Sequence, residues 1–301
     1  MSDAIAVVGS VAFDTIETPA GRAEEELGGS ATHFAVAASF FTGVHLVAPV
    51  GDDFPVSARQ YLAGRGIDIG GLEQRPGRTF RWHGRYHEDI NRRDTLRLDL
   101  GVFADFRPTV GPAVRQAPIV FLGNIDPRLQ EAVLAQFAAP ALIGLDTMNH
   151  WIETARDALE ALLPRIDLLV LNDEEARMLA GANNVPRAAR RILGMGCKSV
   201  LVKRGEYGAI LFSPASVFAV PAYPLEEVFD PTGAGDTFAG GLFGWLAATG
   251  DRSEANLRRG IVYGSVLASF VVEDFGGRRL ERLQREDIDR RYRQFVALTE
   301  F

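Results

Sequence analysis

Short apolar runs alternate along the chain with longer segments of helical periodicity. The apolar runs lie at residues 5–8, 44–50, 119–122, 142–145, 168–171 and 199–202. Runs that are apolar on both faces are typical of buried parallel strands. Helices are predicted at 30–41, 128–137, 152–163, 174–180, 234–248, 253–272 and 285–298. This order predicts a three-layer α/β/α sandwich with a mostly parallel central sheet and right-handed crossovers.

Two polar segments interrupt this alternation. Residues 13–27 and 79–99 carry Thr, Arg, Tyr and Trp in partly alternating order and have weak helical periodicity, which indicates exposed strands. We expect them to pair as a small β-sheet lid over one end of the sandwich. Since no long linker, repeat or low-complexity tract is present, the lid is interpreted as an insertion into a single domain spanning 1–301.

Composition excludes several classes of protein. The 301 residues are 47% hydrophobic and 24% charged, with a net charge of -7 and no basic stripe, which argues against nucleic-acid binding. The single cysteine, Cys197, excludes an intramolecular disulfide and a cysteine-based zinc site. The N-terminus has no basic region ahead of its apolar run, and the apolar stretch 34–50 is interrupted by polar residues and proline. We therefore expect a cytoplasmic protein with no membrane partner.

The stretch FDPTGAGDTFAGGLFGWLAA, residues 229–248, places glycines and an acid at the start of a predicted helix. Gly233, Ala234 and Gly235 leave the backbone open to a phosphate, and the helix dipole favours an anion there. Asp236 has two interpretations. It is either a general base for an alcohol that attacks phosphorus, or an acid that complements the dipole in the first turn.

The sequence DPTGAGDTFAGG resembles the C-terminal signature of the PfkB, or ribokinase-like, family of sugar and nucleoside kinases. Further pieces in the family's order support the resemblance along nearly the whole chain: GSVAFD at 9–14, GGSATHFAVAA at 28–38, LNDEEA at 171–176 and VKRGEYG at 202–208. The resemblance implies a ribokinase-like fold and ATP-dependent phosphoryl transfer, with Asp236 as catalytic base and residues 233–235 as the anion hole. It also implies a possible potassium site at Asp230 and Thr232.

The nucleotide end of the site follows from the same resemblance. Asn172 and Glu175 match an N-x-x-E element that organises Mg²⁺ and the ATP phosphates, largely through water. Asn172 followed by three acids is also a sound helix N-cap, and the two interpretations are compatible. Lys203 and Gly205 match positions facing the nucleotide, although Lys203 is equally a candidate for a solvated lysine at a strand end.

The acceptor end is implied at Asp14, which matches the residue that takes substrate hydroxyls, and at the Gly28 and Gly29 pair, where lid meets core. A turn aspartate and an ordinary loop-to-helix junction are the alternatives. Ala12 and His33 stand where ribokinases carry asparagines, which weakens a ribose-specific assignment. His33 either contacts a substrate hydroxyl or packs on the helix face.

The lid segments add aromatic and basic side chains. Phe13, Phe80, Trp82 and Tyr86 either cover a nucleobase or sugar, or fill the lid's own apolar face or a subunit interface. The arginines of residues 79–99 lie among acids, which favours a mixed solvated surface over a receptor for a phosphorylated sugar; they are Arg81, Arg85, Arg92, Arg93 and Arg97.

The sequence thus predicts an ATP- and Mg²⁺-dependent kinase acting on a hydroxyl of a small sugar or polyol. A nucleoside kinase is the alternative, followed by a sugar-phosphate kinase and a ligand-binding relative without activity. A dinucleotide-dependent oxidoreductase is disfavoured because Gly9 lacks a G-x-G-x-x-G continuation. A homodimer formed through the lid is expected, since exposed strand edges need cover.

Overall fold

The computed structural model describes residues 4–300 and is built around a nine-stranded sheet. Its strands, with their numbers in chain order, are β1 (Ile5–Val8), β4 (Val44–Val50), β5 (Ile67–Gln74), β8 (Ile119–Leu122), β9 (Leu142–Asp146), β10 (Leu168–Asn172), β11 (Ser199–Lys203), β12 (Ala209–Phe212) and β13 (Val217–Val220). The spatial order is β13-β12-β11-β10-β9-β8-β1-β4-β5. Every pair is parallel except β11 with β12 and β12 with β13.

Helices cover both faces of this sheet. They are α1 (Ser30–Ala38), α2 (Val56–Gly64), α3 (Pro127–Leu134), α4 (Asn149–Thr154), α5 (Arg156–Leu162), α6 (Asp173–Ala180), α7 (Val185–Gly194), α8 (Ala234–Thr249), α9 (Glu254–Val271), α10 (Arg278–Glu281) and α11 (Arg285–Thr299). One core joins the sheet to α1, α2 and α8–α11, and a second joins it to α3–α7. The predicted three-layer sandwich is confirmed.

The strand β1 illustrates why apolar runs predicted this fold. Ile5 and Val7 belong to one core, Ala6 and Val8 belong to the other, and all four are fully buried. A strand between two helical layers must be apolar on both faces, because its successive side chains point to opposite sides.

A second sheet is formed by the polar segments. Its strands are β2 (Ala12–Thr18), β3 (Gly21–Gly28), β6 (Phe80–Tyr86) and β7 (Arg93–Asp99), in the order β3-β2-β6-β7. The β2 and β6 strands, which come from the two separated segments, pair in parallel, and the two hairpins are antiparallel. Below we call this four-stranded sheet, with the turn 87–92, the lid.

Several elements depart from the sequence pattern. The helix predicted at 152–163 is broken at Ala155, whose φ of -138° and ψ of 30° separate α4 from α5. The pattern missed α2, β5, α7, β12, β13 and α10. The edge strands β5 and β13 keep exposed positions along their length, so they do not form continuous apolar runs.

None of the helices among residues 4–300 combines the length and apolar character needed to cross a bilayer.

Candidate active site

The glycine-rich loop before α8 is held by Asp230. Its carboxylate is 1% exposed and accepts hydrogen bonds from the backbone N–H groups of Thr232 and Gly276, both at 2.8 Å. Gly233 follows in the left-handed conformation, with φ 72°, and α8 begins at Ala234. The loop is therefore fixed to the segment after α9, with the first amides of α8 at its end.

His33 of α1 packs against this loop. A Cβ atom at position 233 would lie 2.3 Å from the His33 ring, so the imidazole packs directly against the Gly233 backbone. His33 is 4% exposed, and burial lowers the pKa of its imidazole to about 4. A neutral ring beneath the loop agrees with the packing interpretation of His33.

Asp236 lies in the first turn of α8, partly accessible to solvent. Loss of hydration and the nearby Asp146 carboxyl raise its pKa to about 7, against the opposing effects of Lys203 and Arg93. A carboxyl whose pKa lies near neutrality is suited to accepting and releasing protons.

Lys203, at the end of β11, extends toward the first turn of α8, where Asp236 lies. Its Nζ lies 3.6 Å from Asp146 Oδ2, and a Cβ at position 235 would lie 2.7 Å from that Nζ. The Lys203 side chain is 18% exposed, and Asp146, Glu175 and Asp236 raise its pKa against burial. Lys203 is therefore a charged group beside the start of α8 and does not extend into bulk solvent.

Asp146 was missed by the sequence interpretation. It ends β9, is 6% exposed, and accepts a hydrogen bond from the Thr147 N–H at 2.8 Å. The available signal was an acid directly after the apolar run 142–145, at the carboxyl edge of the sheet where ligands bind in open α/β folds.

Asn172 and Glu175 form a capping box at the start of α6. Glu175 N donates to Asn172 Oδ1 at 2.8 Å, and Asn172 N donates to Glu175 Oε2 at 2.7 Å. Burial and the Asp146 carboxyl raise the pKa of Glu175 to about 7. The Glu175 and Asp146 carboxyls repel each other, and only the Lys203 ammonium, 3.6 Å from Asp146, opposes that repulsion; a hydrated Mg²⁺ would stabilise both carboxylates further.

Within residues 4–300, no cluster of three or more His, Cys, Asp or Glu side chains suits a directly bound metal ion. The Glu175 carboxyl, fixed by its capping box with Asn172, fits a Mg²⁺ that would arrive with nucleotide phosphates and be bound largely through water.

The predicted acceptor residues meet at the junction of lid and core. Asp14 of β2 is 5% exposed and its carboxylate accepts a hydrogen bond from the Gly29 N–H. A Cβ at position 28 would lie 2.0 Å from Asp14 Oδ2, and Gly29 has a φ of 91°. Burial and the Asp230 charge raise the pKa of Asp14 to about 7. Gly28 is thus required by the close approach of the Asp14 carboxylate, and Gly29 by its positive φ and by the Ser10 carbonyl oxygen, which would lie 2.5 Å from a Cβ there.

Of the four lid aromatics, Trp82 lies beside Asp14. The register pairs Asp14 with Trp82, and the Trp82 ring covers Gly84, where a Cβ would lie 1.9 Å from it. Phe13 instead packs on Phe54, and Phe80 on Phe103.

The lid also contacts the residues that the sequence predicts to bind the nucleotide. Tyr86 is 6% exposed, and its phenol shares a hydrogen bond with Thr232 Oγ1 at 3.2 Å. A Cβ at Gly205 would lie 2.5 Å from Asn91 Oδ1, so the turn 87–92 rests against the segment after β11. The sequence-predicted residues from both ends of the site are therefore brought under one lid.

Comparisons with known proteins identify this arrangement. Residues 2–282 match the family model described as pfkB family carbohydrate kinase. A cytidine kinase of Thermococcus kodakarensis is 33% identical over 245 residues, covering 79% of this chain and 86% of that protein. A 2-dehydro-3-deoxygluconokinase of Thermoproteus tenax is 29% identical over 236 residues, or 72% of each chain. The solved nucleoside kinase of Methanocaldococcus jannaschii superposes with a TM-score of 0.78 at 20% identity, covering 97% of this chain and 98% of that one.

Proposed function

The chain belongs to the pfkB family of carbohydrate kinases, and from its site we propose that it transfers the γ-phosphoryl group of ATP to a hydroxyl of a nucleoside. Membership makes it a phosphotransferase with an alcohol acceptor. The observation that carries the proposal is the placement of the Asp236 carboxyl in the first turn of α8, with Lys203 Nζ beside the same turn. The base would then take the proton of the attacking hydroxyl, while the anion-binding amides and the cation stabilise the phosphoryl group that it attacks.

In the proposed reaction, the acceptor hydroxyl gives its proton to the Asp236 carboxylate while its oxygen forms a bond to the γ-phosphorus. The bond from that phosphorus to the β–γ bridging oxygen breaks, and ADP leaves with the electron pair. The backbone N–H groups of 233–235 stabilise the transferring phosphoryl group, and Lys203 adds positive charge.

Two cations belong to this proposal. Mg²⁺ would enter with ATP and be held through water by Glu175, with Asn172 fixing that carboxylate through the capping box. Potassium is proposed at Asp230. Both Asp230 oxygens already accept backbone N–H groups, yet each retains a lone pair for a cation.

A nucleoside is proposed as acceptor because Asp14 and Trp82 share one face of the lid. The Asp14 carboxylate would take a vicinal diol of the sugar, and the indole offers an aromatic face for the base. The 33% identity to a cytidine kinase supports this choice over the free sugar or polyol predicted from sequence. The similarity to 2-dehydro-3-deoxygluconokinase keeps a sugar acid as the second candidate.

The test is release of ADP from Mg·ATP, with and without potassium, across cytidine, uridine, adenosine, inosine, ribose, fructose, inositol and 2-dehydro-3-deoxygluconate. We expect nucleosides to give the highest kcat/KM, and Asp236→Ala to lower turnover by at least about 10²-fold. Turnover of sugars alone would contradict the nucleoside assignment, and silence across the panel would contradict the kinase proposal. A potassium effect of less than about twofold in kcat would contradict the potassium site.

A homodimer formed through the lid is also proposed. The β7 strand is an edge of the lid sheet, and Leu96 and Leu100 beside that edge are 42% and 41% exposed. Sedimentation is expected to give a dimer that Leu96→Glu converts to a monomer, while Val217→Glu on the edge strand β13 leaves it intact. A wild-type protein that sediments as a monomer would remove this proposal.

A further inference from the structure

Gln130 is a buried amide at the ends of two strands of the central sheet. It belongs to α3 and is fully buried. Its Nε2 donates hydrogen bonds to the carbonyl oxygens of Gly123 at 2.8 Å and of Asp146 at 3.0 Å. One side chain therefore joins the backbone that follows β8 to the last residue of β9.

This bridge lies where the pairing of β8 with β9 stops. Their parallel register runs as far as Leu122 opposite Leu145, and Gly123 and Asp146 are the next residues along each strand. Because one nitrogen donates both hydrogen bonds, the separation of the two carbonyl groups is fixed by the Gln130 side chain.

The other atom of the same amide shows that packing alone does not explain this glutamine. Within residues 4–300, the buried Gln130 Oε1 has no hydrogen-bond partner. An unpaired polar atom in a core costs free energy, and the neighbouring core positions Val133 and Leu134 are apolar. The donor side of the amide, which binds the two strand ends, is therefore the part that has a role.

Asp146 links the bridge to the candidate active site. Gln130 holds the Asp146 backbone, the Thr147 N–H donates to Asp146 Oδ1 at 2.8 Å, and Asp146 Oδ2 lies 3.6 Å from Lys203 Nζ. That ammonium lies beside the first turn of α8, where a Cβ at position 235 would be 2.7 Å from it. A displacement of the Asp146 backbone would therefore also move the partner of Lys203.

The charge of Asp146 reaches further groups of the site. It raises the pKa values of Lys203, Glu175 and Asp236, against or alongside the effect of burial on each. A carboxyl that acts on the cation and on two other carboxyls must be held at a fixed distance from all three, because charge interactions in a buried site depend steeply on separation.

We propose that Gln130 is a positioning residue for phosphoryl transfer: its amide fixes the Asp146 backbone, and Asp146 in turn fixes the Lys203 ammonium beside the first turn of α8. This inference rests on the proposed function. A cation that is already in place stabilises the developing charge without a cost of reorganisation during the reaction. Because Gln130 is fully buried and touches neither substrate, its contribution belongs in kcat and not in either KM.

The first experiment replaces the amide donor. Gln130→Met keeps an unbranched side chain of similar length, and we expect kcat with Mg·ATP and cytidine to fall by about 10- to 10²-fold, with both KM values within about threefold of wild type. Gln130→Glu has the same shape, and burial favours its protonated form, whose single O–H holds one carbonyl. Its kcat should lie between the two, and it keeps the inference testable if the methionine variant fails to fold.

Gln136, just beyond the same helix, offers a matched control. Its amide also bonds backbone groups, donating to the Pro108 carbonyl and accepting from the Val110 N–H, both at 2.9 Å, but it contacts a loop and not a strand end of the site. Gln136→Met should keep kcat within about twofold of wild type. Equal losses in the two methionine variants would overturn the inference, and so would a kcat within about threefold of wild type in Gln130→Met.

A double-mutant cycle separates positioning from a general effect on folding. Asp146→Ala should lower kcat by itself, since Lys203 loses its partner. Adding Gln130→Met to that variant should then lower kcat by less than about twofold further, because the group that Gln130 positions is gone. Losses that multiply in the double variant would contradict the inference.

A spectroscopic measurement without turnover separates this inference from the kinase proposal. The chain contains two lysines, Lys203 and the exposed Lys198, which pairs with Asp167. Protein labelled with ¹³C at the lysine ε carbon should give two signals, and Gln130→Met should move the Lys203 signal while the Lys198 signal stays in place. An unmoved Lys203 signal in the folded variant would overturn the inference. A moved signal in a chain that phosphorylates no acceptor would support the positioning of Lys203 and contradict the proposed function alone.

Discussion

Replacing Asp236 with alanine is expected to lower kcat by about 10²- to 10⁴-fold, because the acceptor hydroxyl loses its general base while the anion-binding backbone stays in place. ATP affinity, measured by calorimetry, should remain within about threefold of wild type.

The same carboxyl should make the activity of the wild-type enzyme fall on the acid side of its pH profile. Its pKa is raised to about 7, so the base is protonated and kcat/KM falls as pH decreases through that value.

Asp236→Asn supplies the matching stability measurement. The carboxyl has a pKa of about 7 in the folded chain against an ordinary value of 3.8, so its ionised form opposes folding. This penalty is absent below pH 3.8, grows as pH rises to about 7, and is complete above it. The amide should therefore raise Tm at pH 8 by about 1.5–2 °C for each kcal/mol relieved, with a smaller difference at pH 5. Equal Tm values at pH 8 would contradict the desolvated carboxylate, and unchanged kcat in the alanine variant would contradict its role as base.

Gly233→Ala is expected to lower kcat by about 10²-fold or more, nearly as much as Asp236→Ala. An alanine Cβ would lie 2.3 Å from the His33 ring, and the position has a φ of 72°, which side chains disfavour. Relief of the clash would move the loop and turn the anion-binding amides away from the phosphoryl group. Steady-state kinetics with Mg·ATP and cytidine measures the effect.

The other end of the same helix offers a matched control. Gly250 ends α8 with a φ of 64°, but a Cβ there meets nothing within 4 Å. Gly250→Ala should cost about 1–2 kcal/mol of stability while kcat stays within about twofold of wild type. The double variant His33→Ala with Gly233→Ala should recover part of the lost rate, because the obstructing ring is gone. Equal kinetic losses at 233 and 250 would contradict a specific role for the loop.

Residues in sequence motifs proved easier to place than residues whose neighbours are distant in the chain. The glycine-rich start of α8 carries its own physical reason, since small residues and free amides together suit an anion. The Asn172–Glu175 capping box was likewise predictable, because both partners lie within one helical turn. Asp146 was missed because its importance depends on Lys203, which follows it by 57 residues and reaches it only through the order of β9, β10 and β11.

The lid shows the same difference between what local sequence predicts and what distant contacts decide. Its sequence predicted exposed strands, and those strands form, but its arginines looked like one solvated group. Strand register separates them: Arg97 lies opposite His83, whereas Arg93 lies opposite Tyr86, with its guanidinium 5.8 Å from the centre of the Trp82 ring. Alternation along a strand predicts that its side chains lie on two faces of the sheet, but it does not predict which face packs against the rest of the protein.

The sequence by itself determined the α/β/α sandwich, the family and the residues of the glycine-rich loop, because apolar periodicity and local backbone requirements act within a few residues of each other. Only the tertiary structure decided that His33 packs against Gly233, that Asp146 pairs with Lys203 and that Tyr86 of the lid contacts Thr232. Those contacts depend on sheet order and strand register, which arise when the whole chain packs.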